Sequence, residues 1–172
     1  MATDTTATIT PEHRQHRAGK YLMFFLASEE YGLPILTVHE IIGMMPITRV
    51  PRTPHFIRGV INLRGKVIPI IDLRAKFGMD VVEQSPKACI VVVQLRNVQV
   101  GLVVDKVSEV VDITDGDIED APAFGADLDT DYLLGIAKSN GRVKLLLDID
   151  HVLSLHEVRE LDGTASVTHD AA

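Results

Sequence analysis

Two aspartates stand at matching places after apolar runs, Asp72 in PIIDLRAKF and Asp148 in LLLDIDHVL. Two carboxylates supplied by related halves are the parts of an aspartic-type hydrolase, in which like charges force one acid to keep its proton. That chemistry needs each Asp followed by a small residue and Gly, whereas here Leu-Arg and Ile-Asp follow. A carboxylate just ahead of a short helical run accepts hydrogen bonds from the first unpaired backbone N–H groups, so both aspartates read as helix caps. Cys89 opens the apolar run CIVVVQL, where a thiol packs as a small hydrophobe. His13 and His16 are three apart, but no Cys accompanies them and they read as part of a solvated arm. The stretch DITDGDIED from Asp112 has the carboxylate density of a calcium loop, yet its Asp and Gly positions miss the register such a loop requires. No glycine loop leads into a phosphate-binding Lys, and no His is placed beside a nucleophile. These residues point away from an enzyme and imply no cofactor and no metal.

The elements that hold these residues are written twice. Residues 31–42, YGLPILTVHEII, match residues 100–111, VGLVVDKVSEVV, sixty-nine positions later, and the match extends upstream from YLMFFL to IVVVQL. Further along, residues 56–73, FIRGVINLRGKVIPIIDL, match residues 132–149, YLLGIAKSNGRVKLLLDI, at an offset of seventy-six. That pairs Gly59 with Gly135, Gly65 with Gly141 and Asp72 with Asp148. Two long copies argue for two packed half-domains rather than a solenoid, which needs three or more shorter repeats. Residues shared by both copies serve the scaffold; residues that differ are candidates for function. Arg64 is the clearest difference, because Asn140 at the matching turn tolerates positive φ whereas Arg there costs about 1 kcal/mol.

Of the 172 residues 46% are hydrophobic, with no Trp and few aromatics, so the core is Val, Ile and Leu and favours strands. One Cys excludes an internal disulfide, and no apolar run has the length of a signal sequence or a membrane span, which suggests a cytoplasmic protein. A net charge of −7 argues against a nucleic-acid partner. Charge is nonetheless segregated. Residues 49–76 carry seven Lys or Arg against one Asp, and residues 105–131 carry ten carboxylates against one Lys. Two such faces suit the steering of two different partners.

Residues 1–18 read as a flexible polar arm, 19–160 as one folded unit whose second copy begins near 87, and 161–172 as a frayed tail. The polar ends suggest a free-standing chain rather than a module cut from a larger one. Within the folded unit, Glu29-Glu30 reads as a polar turn and 33–45 as a long strand interrupted by Pro34. Residues 60–71 and 136–147 read as hairpins turning at Arg64-Gly65 and Asn140-Gly141. Ser154 and Glu157 have capping-box spacing for a helix over 154–161. Some ten short strands in two equal sets predict an all-β fold of two small barrels, since closure removes sheet edges.

The segments EYGLPILTVHEI, FIRGVINLRGKVIPIIDLRAKF, GLVVDKVSEVVDI and DAPAF with YLLGI, in this order and spacing, resemble the CheW-like family of bacterial chemotaxis coupling proteins over roughly residues 19–160. The resemblance implies two tandem, intertwined SH3-like five-stranded β-barrels with short helical turns and a C-terminal helix. It also implies a non-enzymatic adaptor that joins methyl-accepting chemotaxis receptors to the regulatory domain of the histidine kinase CheA. Such a protein is cytoplasmic, is recruited to membrane receptor arrays, and does not itself insert in the membrane. A module of a paralogous pathway for motility, development or second-messenger control is the alternative. By this likeness the receptor tip docks along Val38, Glu40, Ile41, Gly59, Asn62, Leu63 and Arg64, with Arg64 pairing a receptor carboxylate or Glu40. Kinase contacts carry over to Ile35 and Val38 in the first copy and Phe124 in the second. The chain departs from one form of the family pattern, which is basic where Glu119 stands and acidic at Ala123.

Overall fold

The computed structural model describes residues 17–80, 85–122, 131–154 and 157. Eleven strands run in chain order: β1 (Gly19–Leu26), β2 (Glu29–Pro34), β3 (Val38–Gly43), β4 (Ile57–Leu63), β5 (Lys66–Asp72), β6 (Cys89–Leu95), β7 (Val98–Val104), β8 (Lys106–Ile113), β9 (Ile118–Glu119), β10 (Leu133–Ser139) and β11 (Arg142–Leu147). They form a six-stranded sheet ordered β8-β1-β2-β11-β10-β9 and a five-stranded sheet ordered β3-β6-β7-β5-β4. The sets are unequal because the two-residue β9 joins the first sheet, where it pairs with β10.

The first hairpin of each copy has changed places. β1–β2 lies in the sheet built otherwise from the second copy, and β6–β7 lies with β3, β4 and β5 of the first. The junctions that this exchange creates, β2 with β11 and β7 with β5, are the two parallel pairings. The intertwining expected from the family resemblance is therefore present.

Burial on both strand faces accounts for the unbroken apolar runs. From β1, Tyr21 and Met23 enter one cluster with Ile113, Ala137 and Leu146, while Leu22, Phe24 and Leu26 turn the other way. From β6, Ile90 and Val92 pack with Ile61, Ile68 and Ile70, while Val91, Val93 and Leu95 join Leu22, Phe24 and Leu26. Each sheet thus has its own small core, and the largest core is shared between copies.

Local chemistry sets the turns. Arg64-Gly65 has φ of 53° and 85°, and Asn140-Gly141 has 54° and 75°, so both hairpins close through the paired left-handed conformation that matches strand twist. The Asp72 carboxylate accepts from the backbone N–H groups of Arg74 and Ala75 and caps the short helix Leu73–Lys76; Asp148 caps Ile149–Val152 by accepting from the Asp150 N–H. Gly59, at φ +142°, passes beneath the Thr48 carbonyl, where an added Cβ would lie 2.1 Å from that oxygen. Its counterpart Gly135 is crossed by Ile118 and Glu119.

Two sequence expectations are corrected. The segment 33–45 is no continuous strand: Pro34, which has no N–H to donate, ends β2, and a 3-10 turn over Ile35–Thr37 precedes β3. The Thr37 hydroxyl donates to the Pro34 carbonyl at 2.7 Å and fixes that break. Glu29 and Glu30 are the start of β2 rather than a turn; the turn falls at Ala27, whose N–H donates to Asp105 at 2.7 Å. At the far end, Ser154 N–H donates to Glu157 and Glu157 N–H to the Ser154 hydroxyl, 2.8 and 3.1 Å, which is the reciprocal capping box. The rest of the helix expected over 154–161 lies outside the described residues.

Candidate partner-docking face

The predicted receptor-contact residues fall on β3, β4 and the β4–β5 turn. Between Val38 and Glu40 the pairing of β3 with β6 slips by one residue. A bulge of this kind re-aims the side chains beyond it, and Ile41 is left 45% exposed although it is apolar. Val38 and Ile35 are half-buried against the shared core. Between them, at the crest of the 3-10 turn, Leu36 is 95% exposed.

Across from β3, the β4–β5 turn presents Arg64. Its guanidinium donates to the Glu40 carboxylate, which ties the turn to β3 at the opposite edge of the sheet. His39 Nε2 lies 3.8 Å from the same Glu40 oxygen. An exposed pair of this kind contributes roughly 0–1 kcal/mol, which offsets at most part of the left-handed backbone cost of about 1–2 kcal/mol at Arg64. Asn62 is exposed and its Oδ1 accepts from Gly65 N–H at 2.8 Å, which stiffens the turn from within. Leu63 is half-buried against the five-stranded sheet's own core.

The seven candidates thus have distinct stations. Ile41, Asn62 and Arg64 face solvent, Val38, Glu40 and Leu63 form a half-buried rim, and Gly59 is buried. Glu40 and Arg64 are in direct contact, while Gly59 supports the face by letting the 44–53 loop cross above β4. Phe124 lies outside the described residues. Leu36 was missed by sequence reasoning: strand alternation carried through Pro34 puts it in phase with buried residues, and the turn rotates it outward. Pro34 itself was the available signal.

Beyond this face, several charges are used internally. Arg74 pairs with Asp105, Lys76 with Glu157 at 2.7 Å, and Arg17, at the foot of the polar arm, donates to Asp120 at 2.6 Å. Burial pushes the Asp105 carboxyl up, but the hydrogen bonds from Arg74 and the Ala27 N–H outweigh it and leave its pKa below the ordinary value. Glu157 behaves likewise, lifted by burial and lowered further by Lys76 and Ser154. Burial pushes the Cys89 thiol up, away from the thiolate that nucleophilic chemistry needs. A cavity of about 390 Å³ lined by Tyr31, Phe77, Met79 and Tyr132 has Lys76 on its wall, held by Glu157. The Asp72 carboxylate is engaged by the Arg74 and Ala75 N–H groups and that of Asp148 by the Asp150 N–H, and Asp148 also contacts His151 Nδ1 at 2.7 Å. Among the described residues there is no cluster of metal-ligating side chains and no helix long and apolar enough to cross a membrane.

Comparison with known proteins places this architecture. The family model described as a CheW-like domain matches residues 20–157. The chain is 42% identical over 146 residues to the chemotaxis protein CheW of Klebsiella aerogenes, covering 85% of this chain and 88% of that one. It is 33% identical over 150 residues to the chemotaxis protein CheW of Rhizobium meliloti, covering 87% and 97%. Among solved structures, the scaffolding protein TtCheW of Thermoanaerobacter tengcongensis superposes with a TM-score of 0.74 at 38% identity, over 81% of this chain and 95% of that one.

Proposed function

This chain belongs to the CheW-like domain family, and we propose that it is a chemotaxis coupling adaptor that joins methyl-accepting receptors to a CheA-type histidine kinase without catalysing a reaction. The observation that carries this reading is the extent of the family match, which runs from Lys20 in β1 to Glu157 in the capping box and leaves out no strand.

The receptor's helical tip docks against Val38, Glu40, Ile41, Asn62, Leu63 and Arg64, as an amphipathic helix docks in a groove. Ile41 and the rims of Val38 and Leu63 supply apolar area. Arg64 supplies the charge that fixes register by donating to a receptor carboxylate in place of Glu40, or beside it. Gly59 acts from beneath, through the backbone. The kinase regulatory domain contacts Ile35 and Val38 on one side and Phe124 on the other. The protein works in the cytoplasm and reaches the membrane array through the receptor. Residues 19–160 act as one unit, in keeping with the core that both copies share.

Co-sedimentation with a receptor cytoplasmic fragment and a CheA-type kinase tests this reading, with circular dichroism to verify folding. Arg64→Asp is expected to lose receptor and retain kinase. A natural chain that binds neither partner overturns the proposal.

A further inference from the structure

Among the described residues the buried charged side chains are Glu30 and Lys144, 8% and 3% exposed. They face each other across the parallel junction of β2 with β11, Nζ to Oε2 at 3.8 Å, in the register Lys144↔Glu30, Leu145↔Tyr31, Leu146↔Gly32. The other parallel junction, β5 with β7, has the register Ile70↔Gly101, Ile71↔Leu102. The repeat superposes Leu146↔Gly32 on Ile70↔Gly101. Two residues earlier, where the first junction has Lys144 and Glu30, the second has Ile68, buried, and Gln99, half-buried.

Shape does not distinguish the two junctions. Both lay a large aliphatic over a glycine, and a Cβ on Gly32 would meet Met23 and Leu146 as one on Gly101 would meet Ile70 and Ile90. The hairpins β1–β2 and β6–β7 are therefore close to interchangeable in backbone form. Charge separates them. If each hairpin stayed with its own copy, Glu30 would lie against Ile68 and Lys144 against Gln99, burying an unpaired carboxylate and an unpaired ammonium. An unpaired buried charge is strongly disfavoured, whereas a matched pair is tolerated and serves to specify register.

We infer that the Glu30–Lys144 pair is the selector that makes the two copies exchange hairpins, by penalising the unexchanged arrangement rather than by adding stability to the exchanged one. Fixing register and partner is the best-attested use of a buried polar pair.

The test reads hairpin placement directly. Lys20 in β1 lies opposite Asp112 in β8, and both side chains are exposed. In a Cys89→Ser background, Lys20→Cys with Asp112→Cys forms an intramolecular disulfide only when β1 has crossed to β8. The chain is refolded from urea at a dilution that keeps it monomeric, oxidised, and scored on a non-reducing gel. With Glu30 and Lys144 in place, crosslinking is expected to be nearly complete. With Glu30→Gln and Lys144→Ile, the residue types of the other junction, it is expected to fall to about half, the value for hairpins that no longer discriminate. The reversed pair Glu30→Lys with Lys144→Glu is expected to restore it. Full crosslinking of the Gln/Ile variant overturns the inference, and so does a reversed pair that crosslinks no better than the Gln/Ile variant.

Discussion

Leu36 and Asp105 occupy the same place in the two copies, each in the short link that carries the chain out of its exchanged hairpin and into the other sheet. Asp105 is held by the Arg74 guanidinium and the Ala27 N–H. Leu36 is 95% exposed at the equivalent position. One copy uses the site to fasten the fold, and the other leaves an apolar side chain facing outward. The hairpin turns repeat the lesson. Asn140 suits its left-handed backbone, whereas Arg64 adopts the same backbone and reaches to Glu40. Duplication separates what the scaffold requires from what can diverge, and these two divergent positions of the first copy, Leu36 and Arg64, lie on the proposed docking face.

The comparison breaks most severely where the copies agree. Gly59→Ala should cost about 3 kcal/mol or more, because its Cβ meets backbone and its φ is positive. Gly135→Ala should cost less, about 1–3 kcal/mol, because its φ is not positive and the nearest backbone atom, the Glu119 carbonyl oxygen, lies at 2.9 Å rather than 2.1 Å, with the Ile118 side chain at 2.6 Å. Urea midpoints of the two variants, measured side by side, check that order.

Asp105→Leu, which gives the second copy the residue of the first, should cost about 2–3 kcal/mol by stranding the part-buried Arg74 and the Ala27 N–H. It should also change the acid response. A carboxylate whose pKa is depressed on folding stabilises the protein above its unfolded value, 3.8 for Asp, and that contribution is lost as pH falls through the folded value. Urea midpoints of the natural chain should therefore drop as pH falls below about 4, and the variant should drop less. Some acid sensitivity will remain in the variant because Glu157 is lowered as well.

The smaller effects fall on the divergent surface. Arg64→Asn, which copies the second turn into the first, should leave stability within about 0.5 kcal/mol, since a lost exposed ion pair is balanced by a residue better suited to positive φ. Receptor co-sedimentation should nevertheless fall. Leu36→Asp should be nearly silent in the urea midpoint, within about 0.5 kcal/mol, while kinase retention should drop about tenfold as an exposed apolar anchor beside Ile35 and Val38 is lost. Unchanged retention would confine the kinase contact to other residues.

Much of this was legible in the sequence because it is local. The Asp72 and Asp148 caps, the Arg64 and Asn140 turns and the apolar runs of β1 and β6 each depend on residues a few positions apart. Partner choice among strands is not local. Glu30 read as part of a polar turn because its cation, Lys144, is more than a hundred residues away, and no periodicity announces that β2 will lie beside β11. The intertwining came from family resemblance rather than from strand patterning. At the proposed docking face, the residue types were legible from that same resemblance; the outward rotation of Leu36 follows from the local break at Pro34, a signal the strand reading passed over, whereas the buried station of Gly59 depends on the Thr48 crossing, a tertiary contact.

Between β1 and β11 the chain passes from one sheet to the other twice, at Ile35–Thr37 and at Asp105. A tensile load that draws the sheets apart is therefore carried by covalent backbone at two points and passed into the ladders that hold β2 and β7 within their own sheets. Neither sheet can peel away as a separate body, so a displacement imposed on one is delivered to the other as rigid movement before any strand gives way. Under the proposed coupling role, that makes the double crossing a mechanical tie.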